Sequence, residues 1–193
     1  MESLLSGMFS RMGDGGIEKI AQSAGIDLKM AKNILSQAGP LLTGKMADNA
    51  KTPEGLNSLT TALEDHDGSV FDRMEDVVNP DVDTKGSNIL SKILGGNMGD
   101  VVGALAGRNN TDNGTMQKVL EMAAPLVLGQ LGSEKKSGGL DAGGIFDLLK
   151  SEKKNIQSSG DNVMIDLAQN FLDKDDDDSV VDDIIEMAGG FLK

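Results

Sequence analysis

Apolar residues recur every three or four positions through nearly every segment of this chain. In residues 30–42, for example, the apolar positions are Met30, Ala31, Ile34, Leu35, Ala38, Leu41 and Leu42. This spacing places them on one face of an α-helix, and no segment shows the sustained alternation of a half-buried strand. The pattern therefore predicts an all-α protein.

Segments rich in Gly, Asn, Asp, Ser and Pro separate the apolar stretches and predict turns between the helices. They lie at residues 13–16, 25, 52–55, 65–69, 79–87, 108–115 and 133–139. Between these turns we expect helices of roughly 8 to 18 residues, a usual length in globular proteins.

The sequence also contains an internal repeat. The segment AKNILSQAGPLLTGKM, at residues 31–46, aligns with MQKVLEMAAPLVLGQL, at residues 116–131, at an offset of 85 residues. The matched pairs include Ile20 with Leu105, Ala38 with Ala123, Pro40 with Pro125, and Gly44 with Gly129. We interpret the chain as a diverged duplication of a helical unit. Because proline cannot donate a backbone hydrogen bond and crowds the preceding turn, we expect a kink or a break at Pro40 and at Pro125.

Four segments resemble the YidB-like family of bacterial proteins of unknown function, and the resemblance extends over most of residues 1–150. The segments are TPEGLNSLTTALEDHDGSVFD, KGSNILSKILGG, AGPLLTGKM and AAPLVLGQL. The resemblance implies an all-helical fold with a homeodomain-like core and no established enzymatic activity. Where the family pattern ILGHILG is expected, residues 89–95 read ILSKILG. A role attached to that histidine therefore does not carry over to this chain.

The repeat, the resemblance and the turn signals together predict the domain organisation. We expect a YidB-like multi-helix bundle with an internal duplication in residues 1–133. Residues 134–193 are expected to form a C-terminal helical segment that contains a helix-loop-helix and packs on the first domain.

The composition narrows the choice of partners. The 193 residues carry a formal net charge of −13, with a sequence pI near 4.4. This charge opposes the Lys and Arg contacts on which nucleic-acid binding largely rests, so nucleic acid and anionic membranes are poor partners overall. The start of the chain lacks a signal-peptide pattern, and no run of about eighteen apolar residues occurs. We expect a soluble cytoplasmic protein.

Residues suited to catalysis are scarce. The absence of Cys excludes disulfides, thiolate nucleophiles and thiolate zinc sites. The single histidine, His66, could transfer a proton, but no nucleophile or second histidine completes a catalytic set. We favour a structural position for His66 near a helix C-terminus, with Gly68 in the turn and Ser69 capping the next helix. The protein is therefore not expected to be an enzyme.

Residues 17–38 have the small-residue and glycine spacing of a helix-turn-helix, with Gly25 in the turn. A recognition helix presents Arg, Lys, Asn or Gln to the edges of bases. The side chains available for this are Lys29, Lys32, Asn33 and Gln37. A DNA-associated protein is thus one alternative function, although the same pattern can reflect plain helix packing.

The strongest candidate site is the acidic segment FLDKDDDDSVVDDIIEMAGGFLK at residues 171–193. An EF-hand loop ligates calcium through side chains at positions 1, 3 and 5, a backbone carbonyl at position 7, and a bidentate carboxylate at position 12. Counting from position 173, the candidate ligands are Asp173, Asp175, Asp177, the carbonyl of Ser179, and either Asp182 or Asp183. One of the last two would close a shortened loop, because position 12 is Ile184. Asp178 also replaces the usual glycine at position 6.

Two other interpretations of this segment stay open. A register that begins at Asp175 recovers Glu186 at position 12, but it places β-branched Val180 at the sharp turn. Alternatively, Ser179 or Asp178 caps the last helix and the other aspartates are solvated. We favour calcium, because closely spaced like charges repel one another unless a cation joins them. The leading hypothesis is a non-enzymatic, calcium-binding bacterial protein with a structural or interaction role, toward a protein partner or a second copy of itself.

Overall fold

The structure is a computed structural model that describes residues 3–79 and 84–158. Within these ranges the chain forms α-helices and two short 3-10 helices, at Ser69–Arg73 and Gly95–Asn97, and no strand. The α-helices are α1 (Leu4–Ala24), α2 (Leu28–Asn49), α3 (Pro53–Ala62), α4 (Met74–Val78), α5 (Thr84–Leu94), α6 (Met98–Asn109), α7 (Asn113–Gly138) and α8 (Ala142–Ser158). The predicted all-α fold is confirmed.

The long helices α2 and α7 pack against each other at the centre of the molecule. Every residue from 38 to 47 in α2 is buried, and so is every residue from 119 to 132 in α7 except Pro125. A helix enclosed on all sides needs small and apolar residues around its whole circumference, which both segments have. Helix α1 packs on both central helices, α5 and α6 pack mainly on α7, and α8 packs on α2.

Both prolines lie inside continuous helices, so a break at either one is not found. Pro40 and Pro125 each remove one N–H from the helical hydrogen-bond ladder. Packing around the two central helices keeps them helical despite that loss. The interruption occurs in α1 instead, where Gly13 has φ 61° and ψ 178° and divides the helix into residues 4–12 and 14–24. Glycine adopts such a positive φ without the steric penalty of a Cβ atom.

Matching turns before α2 and α7 support the internal repeat. Gly25 and Asn110, which are equivalent in the repeat, both adopt the left-handed conformation, with φ of 71° and 51°. Two residues later, Asp27 and Asp112 cap the following helices. Each carboxylate accepts a hydrogen bond from the backbone N–H three residues on, at 2.8 Å and 2.9 Å respectively. The duplicated unit therefore includes the turn and its cap.

The structure also extends the repeat toward the N-terminus of each unit. The offset of 85 residues places Gly13, where α1 is interrupted, on Met98, the first residue of α6. The kinked helix α1 thus corresponds to α5 and α6 together. Each unit consists of a short helix, a second helix, a tight turn and a long central helix.

The two units exchange contacts at their turns. Asn33, near the start of α2, donates from Nδ2 to Oδ1 of Asn109 at the end of α6, at 2.8 Å. Its equivalent Lys118, near the start of α7, donates from Nζ to the backbone carbonyl of Ser23 at the end of α1. Such reciprocal contacts are those that a twofold relation between two similar units produces.

Helix α8 is fastened to both ends of the first unit. Its Glu152, a buried carboxylate, accepts a hydrogen bond from the backbone N–H of Leu4 at 3.1 Å. Its Lys153 forms an ion pair with Asp48 of α2 at 2.6 Å. The expected domain boundary between residues 133 and 134 falls inside α7. The division into two domains stays a prediction.

Candidate functional site

The candidate helix-turn-helix is formed by the second part of α1, the turn at Gly25 and the first half of α2. Ile20 and Ala21 are buried against the core, and the backbone N–H of Ile26 donates to the carbonyl of Ala21 at 3.0 Å. This hydrogen bond and the left-handed glycine close the end of α1 as in a Schellman-type C-cap. The turn therefore holds α2 at a fixed position relative to α1.

The first half of α2 has one exposed face. Lys29, Lys32, Asn33 and Ser36 are all exposed, and Gln37 is half-buried. Residues at spacings of three, four and seven lie on the same side of a helix. The opposite side is buried in the core through Ala31, Ile34, Leu35 and Ala38. The four side chains that the sequence suggested for DNA contact are thus on or beside a single surface.

An open groove of about 740 Å³ lies between the start of α2 and the end of α6. It is lined by Phe9, Asp27, Lys29, Met30, Lys32, Asn33, Ser36, Arg108, Asn109 and Asn110. Three of these side chains are cationic, whereas the only carboxylate among them belongs to Asp27, which caps α2. Phe9 and Met30 supply apolar surface. The combination suits an anionic group that also offers apolar or hydrogen-bonding surface.

Three amide side chains form a hydrogen-bonded cluster at one side of the groove. Asn109 is only 7% exposed, and its Oδ1 accepts hydrogen bonds from Asn33 at 2.8 Å and from Gln37 at 3.2 Å. Its Nδ2 donates to Oε1 of Gln37 at 3.2 Å and to the carbonyl of Leu105 at 2.8 Å. The cluster joins the two units and fixes the width of the groove at this point.

Two lysines of the groove differ in their partners. Lys32 forms an exposed ion pair with Asp14 at 2.8 Å, and its hydrogen bond to that carboxylate lowers the pKa of Asp14 below its usual value. Lys29 forms no ion pair with any residue that the structure describes. Its charge is therefore the more readily available of the two to a bound anion.

The equivalent surface of the second unit lacks this cationic character. At the positions of Lys29 and Lys32, α7 has Gly114 and Gln117. Ser36 is replaced by Glu121, which is buried and accepts a hydrogen bond from Gln117 at 2.9 Å. The only lysine at this end, Lys118, is bound to a backbone carbonyl of α1. Of the two helix starts, only that of the first unit thus presents exposed lysines at these positions.

Comparison with family models gives a match over more than half of the chain. A family model described as "Bacterial protein of unknown function (DUF937)" matches residues 6–134. The chain belongs to the DUF937 family. The DUF937 match covers most of both helical units and every residue that lines the groove, and it ends within α7, before α8 and the acidic C-terminal segment. No curated protein and no solved structure matches the chain significantly.

Charge is distributed unevenly along this DUF937 protein. Residues 3–158 contain 16 Lys and Arg against 20 Asp and Glu, a net charge of −4. Residues 159–193 contain 10 Asp and Glu against 2 lysines, a net charge of −8. The helical body is therefore only mildly acidic, and most of the acidity lies in the C-terminal segment. The net charge of the whole chain is a poor guide to the electrostatics of the groove.

The predicted calcium ligands Asp173, Asp175, Asp177, Ser179, Asp182 and Asp183 lie outside the described residues. Within residues 3–79 and 84–158, no three His, Asp or Glu side chains converge in a way that could hold a metal ion. None of the helices described in this DUF937 protein is both long enough and apolar enough to cross a membrane.

His66 occupies a helix end, as predicted. Its Nδ1 lies 2.7 Å from the carbonyl oxygen of Ala62, the last residue of α3, and Gly68 has a φ of 95°. The predicted cap is wrong, however, because Ser69 is the first residue of a 3-10 helix and its side chain caps nothing. The carboxylate of Asp67 accepts the hydrogen bond from the backbone N–H of Ser69 instead, at 3.1 Å.

The sequence did not point to the part of the groove that comes from α6. Arg108, Asn109 and Asn110 were assigned only to a turn, and Phe9 to no site. One signal was available, because the repeat offset aligns residues 108–110 with residues 23–25, the turn of the first unit. A twofold arrangement of the units then brings the turn of one against the long helix of the other.

Proposed function

We propose that this DUF937 protein is a non-enzymatic, DNA-associated protein that binds the phosphate backbone of duplex DNA along the groove of its first unit. The observation that supports this most directly is the exposed face of α2, whose Lys29 and Lys32 line the same groove as Arg108. Contacts from Lys and Arg to phosphates provide most of the affinity of non-specific DNA binding. The amides of Asn33, Gln37 and Asn109 bond mainly to one another, so we expect contacts with phosphates more than with base edges.

The acidity of the whole chain does not oppose this proposal as strongly as its net charge suggests. Residues 3–158 have a net charge of only −4, and charges separated by more than a Debye length, about 10 Å at 0.1 M salt, are largely screened. The groove therefore attracts phosphates at short range. We expect weak, strongly salt-dependent affinity, since only three cations line the groove.

Binding of a fluorescein-labelled duplex to the full chain tests this proposal. Fluorescence anisotropy should show binding at 20 mM salt that weakens as salt rises, with a slope of log K against log salt of about −2 to −3. Lys29→Glu should weaken binding about tenfold. Lys92→Glu, the same charge change at an exposed position of α5, should weaken it less than twofold. Absence of binding at 20 mM salt, or equal effects of the two substitutions, would contradict the proposal.

A second candidate function is calcium binding by the C-terminal segment, and the observation that favours it is the alternation of Asp173, Asp175 and Asp177. We propose these three carboxylates, the carbonyl of Ser179, and Asp182 or Asp183 as the ligands. The proposed calcium ligands are not among the residues that line the groove. Calcium would then serve a structural or interaction role.

Isothermal calorimetry of the full chain tests calcium binding. Calcium at up to 1 mM should bind with a stoichiometry of one, and Asp175→Asn with Asp177→Asn should abolish the heat. Asp161→Asn with Asp166→Asn, which removes the same charge outside the loop, should leave the heat unchanged. If both double variants lose binding equally, the segment attracts calcium only through its overall charge.

Two narrower proposals follow from the sequence. We place the chain in the YidB-like branch of the family, on the four segments that resemble it. We also propose that it acts in the cytoplasm, where a DNA partner is available. Cell fractionation with an antibody against the chain would check the location, and recovery in a periplasmic fraction would exclude the proposed DNA partner.

A further inference from the structure

We infer that the acidic C-terminal segment of this chain, residues 171–186, docks in the groove of its own first unit and competes there with other polyanions. The docking does not depend on the proposed DNA binding, whereas its regulatory consequence rests on that function. Three arguments support this docking. The segment and the groove have complementary charge, both contain apolar residues, and the chain between them sets how far the segment can reach.

Charge complementarity is the first argument. Residues 171–186 contain eight Asp and Glu and one Lys, a net charge of −7. The groove carries Lys29, Lys32 and Arg108 on a helical body that is otherwise slightly acidic. A tethered polyanion remains at high effective concentration near such a site, which compensates for weak contacts.

Apolar surface is the second argument. The groove contains Phe9 and Met30, and Leu28 at its edge is the most exposed large apolar residue that the structure describes, at 39%. The acidic segment interleaves its aspartates with apolar residues, namely Phe171, Leu172, Val180, Val181, Ile184 and Ile185. A free phosphate or an all-acidic peptide would leave the apolar part of the groove unused. This segment can use both parts.

The length of the intervening chain is the third argument. The ion pair between Lys153 and Asp48 places the last turns of α8 beside the C-terminal end of α2. The groove lies at the other end of α2, about 33 Å away, since the helix has 22 residues with a rise of about 1.5 Å each. The 14 residues from 159 to 172 can span up to about 46 Å. An extended connection therefore reaches the groove of its own chain, whereas a helical connection of the same 14 residues would span only about 21 Å and would not.

The lysines of α8 are the main competing site for the segment. Lys150 and Lys154 are exposed, and they are closer to residue 159 along the chain than the groove is. One lysine of each site is already paired, since Lys153 binds Asp48 at 2.6 Å and Lys32 of the groove binds Asp14 at 2.8 Å. We favour the groove, because it has three cations beside apolar side chains. Docking on α8 is an outcome that the experiment can detect.

Paramagnetic NMR on the full chain tests the docking. The chain has no Cys, so Ser179→Cys provides a single attachment point for a nitroxide label. We expect the amide signals of Lys29, Lys32, Asn33 and Arg108 to lose more than half of their intensity at low salt. Strongest broadening at Lys150 and Lys154, or no localised broadening, would overturn the inference.

Two controls identify the cause and the origin of the broadening. Lys29→Glu should restore at least half of the lost intensity, whereas Lys92→Glu should leave the broadening in place. Mixing spin-labelled, isotopically unlabelled chain with isotopically labelled chain should give no broadening. Broadening in the mixture equal to that in the singly labelled sample would overturn docking within one chain in favour of docking between copies.

The regulatory consequence has its own readout. Replacing Asp173, Asp175, Asp176, Asp177 and Asp178 by Asn in the full chain should strengthen duplex binding at least fivefold if segment and DNA share the groove. Localised broadening without any duplex binding would retain the docking and reject the proposed DNA function. Duplex binding without localised broadening would reject the docking and retain that function.

Discussion

The two helical units of this protein share a backbone design but differ in their surfaces. Both have a left-handed residue at the turn, an aspartate cap and a long central helix with a proline at the same position. On the first unit, the start of the long helix presents Lys29 and Lys32 at an open groove. On the second unit, the same positions are Gly114 and Gln117.

The difference shows which positions the fold constrains and which it leaves available for binding. Buried pairs such as Leu35 and Leu120 are similar because both central helices are enclosed by the core. The exposed pairs face solvent, where substitutions usually change stability little. Under the proposal above, the cations of the first unit serve binding rather than folding.

The largest expected effect on stability concerns Gly132, where α7 lies against the loop around His66. A Cβ atom on Gly132 would lie 1.6 Å from the backbone carbonyl oxygen of His66, whereas the equivalent residue of α2 is Ala47. Gly132→Ala gains about 1 kcal/mol of helix propensity but overpacks a backbone contact. We expect a net loss of about 3 kcal/mol in urea unfolding.

Gly103→Ala in α6 is the matched control, because nothing lies within 4 Å of its Cβ position. It should stabilise the protein by about 0.5 to 1 kcal/mol, the ordinary gain of alanine over glycine inside a helix. A stabilising Gly132→Ala would show that the loop around His66 does not lie against α7.

The next effect on stability concerns the amide cluster of Asn33, Gln37 and Asn109. The equivalent contact between the start of α7 and the end of α1 has no such cluster. Asn109 is equivalent to Ala24 of the first unit. Because α1 has Ala24 at this position, an alanine is also compatible with the end of α6. Asn109→Ala should therefore cost only the buried hydrogen bonds to Asn33, Gln37 and Leu105, about 2 kcal/mol in total. Urea denaturation measures the loss, and Asn88→Ala at an exposed site of α5 should change stability by less than about 0.5 kcal/mol.

The helical content of the chain could be predicted from its sequence because most helices have one apolar face. Helix ends were less predictable. Residues 133–139 contain turn-forming Ser and Gly, yet α7 continues to Gly138 and ends where Gly139 adopts a φ of 60°. Glu134 and two lysines in this stretch are good helix formers and extend the helix. At residues 13–16 only Gly13 leaves the helical conformation.

The first half of the candidate site could be predicted, and the second half could not. Lys29, Lys32 and Asn33 share a helix face that periodicity alone identifies. Arg108 and Asn109 join them only through tertiary packing between the two units. A local pattern contains no information on which turn lies across from which helix. The repeat narrows that choice, but only the packed structure decides it.

A smaller effect tests whether the caps of the two units are equivalent. Asp27→Ala and Asp112→Ala should each destabilise the protein by about 1 kcal/mol in thermal or urea unfolding, since each removes one N-cap hydrogen bond. Only Asp27 lies in the groove. Its substitution should therefore strengthen duplex binding about twofold to threefold, and that of Asp112 should not. Equal effects on binding would remove the distinction between the units.

The smallest effect concerns Lys51 and Lys136, which are equivalent but have different partners. Lys51, in the turn after α2, pairs with Asp48 at the end of that helix, whereas Lys136 in α7 pairs with Asp67 at 3.0 Å. The hydrogen bond from Lys136 and that from the backbone N–H of Ser69 lower the pKa of Asp67 from 3.8 to about 2. A carboxyl pKa that is lower in the folded state than in the unfolded state stabilises the folded protein above pH 3.8. This contribution to the free energy of unfolding is lost as the pH falls through about 2.

Carboxyl carbon NMR across the range from pH 1.5 to 5 would measure this pKa directly. Lys136→Ala should raise the pKa of Asp67 toward 3.8, and Lys51→Ala should leave it unchanged. A pKa that does not respond to Lys136→Ala would assign the shift to the hydrogen bond from the N–H of Ser69 alone.

Chemical-shift mapping with a short DNA duplex tests most directly whether the two units differ in function. The isotopically labelled full chain is titrated at 20 mM salt, and amide signals of the two equivalent helix starts are compared. We expect shifts at Lys29, Lys32 and Asn33 and none at their equivalents Gly114, Gln117 and Lys118. Equal shifts at both helix starts, or shifts at neither, would contradict the assignment of binding to the first unit.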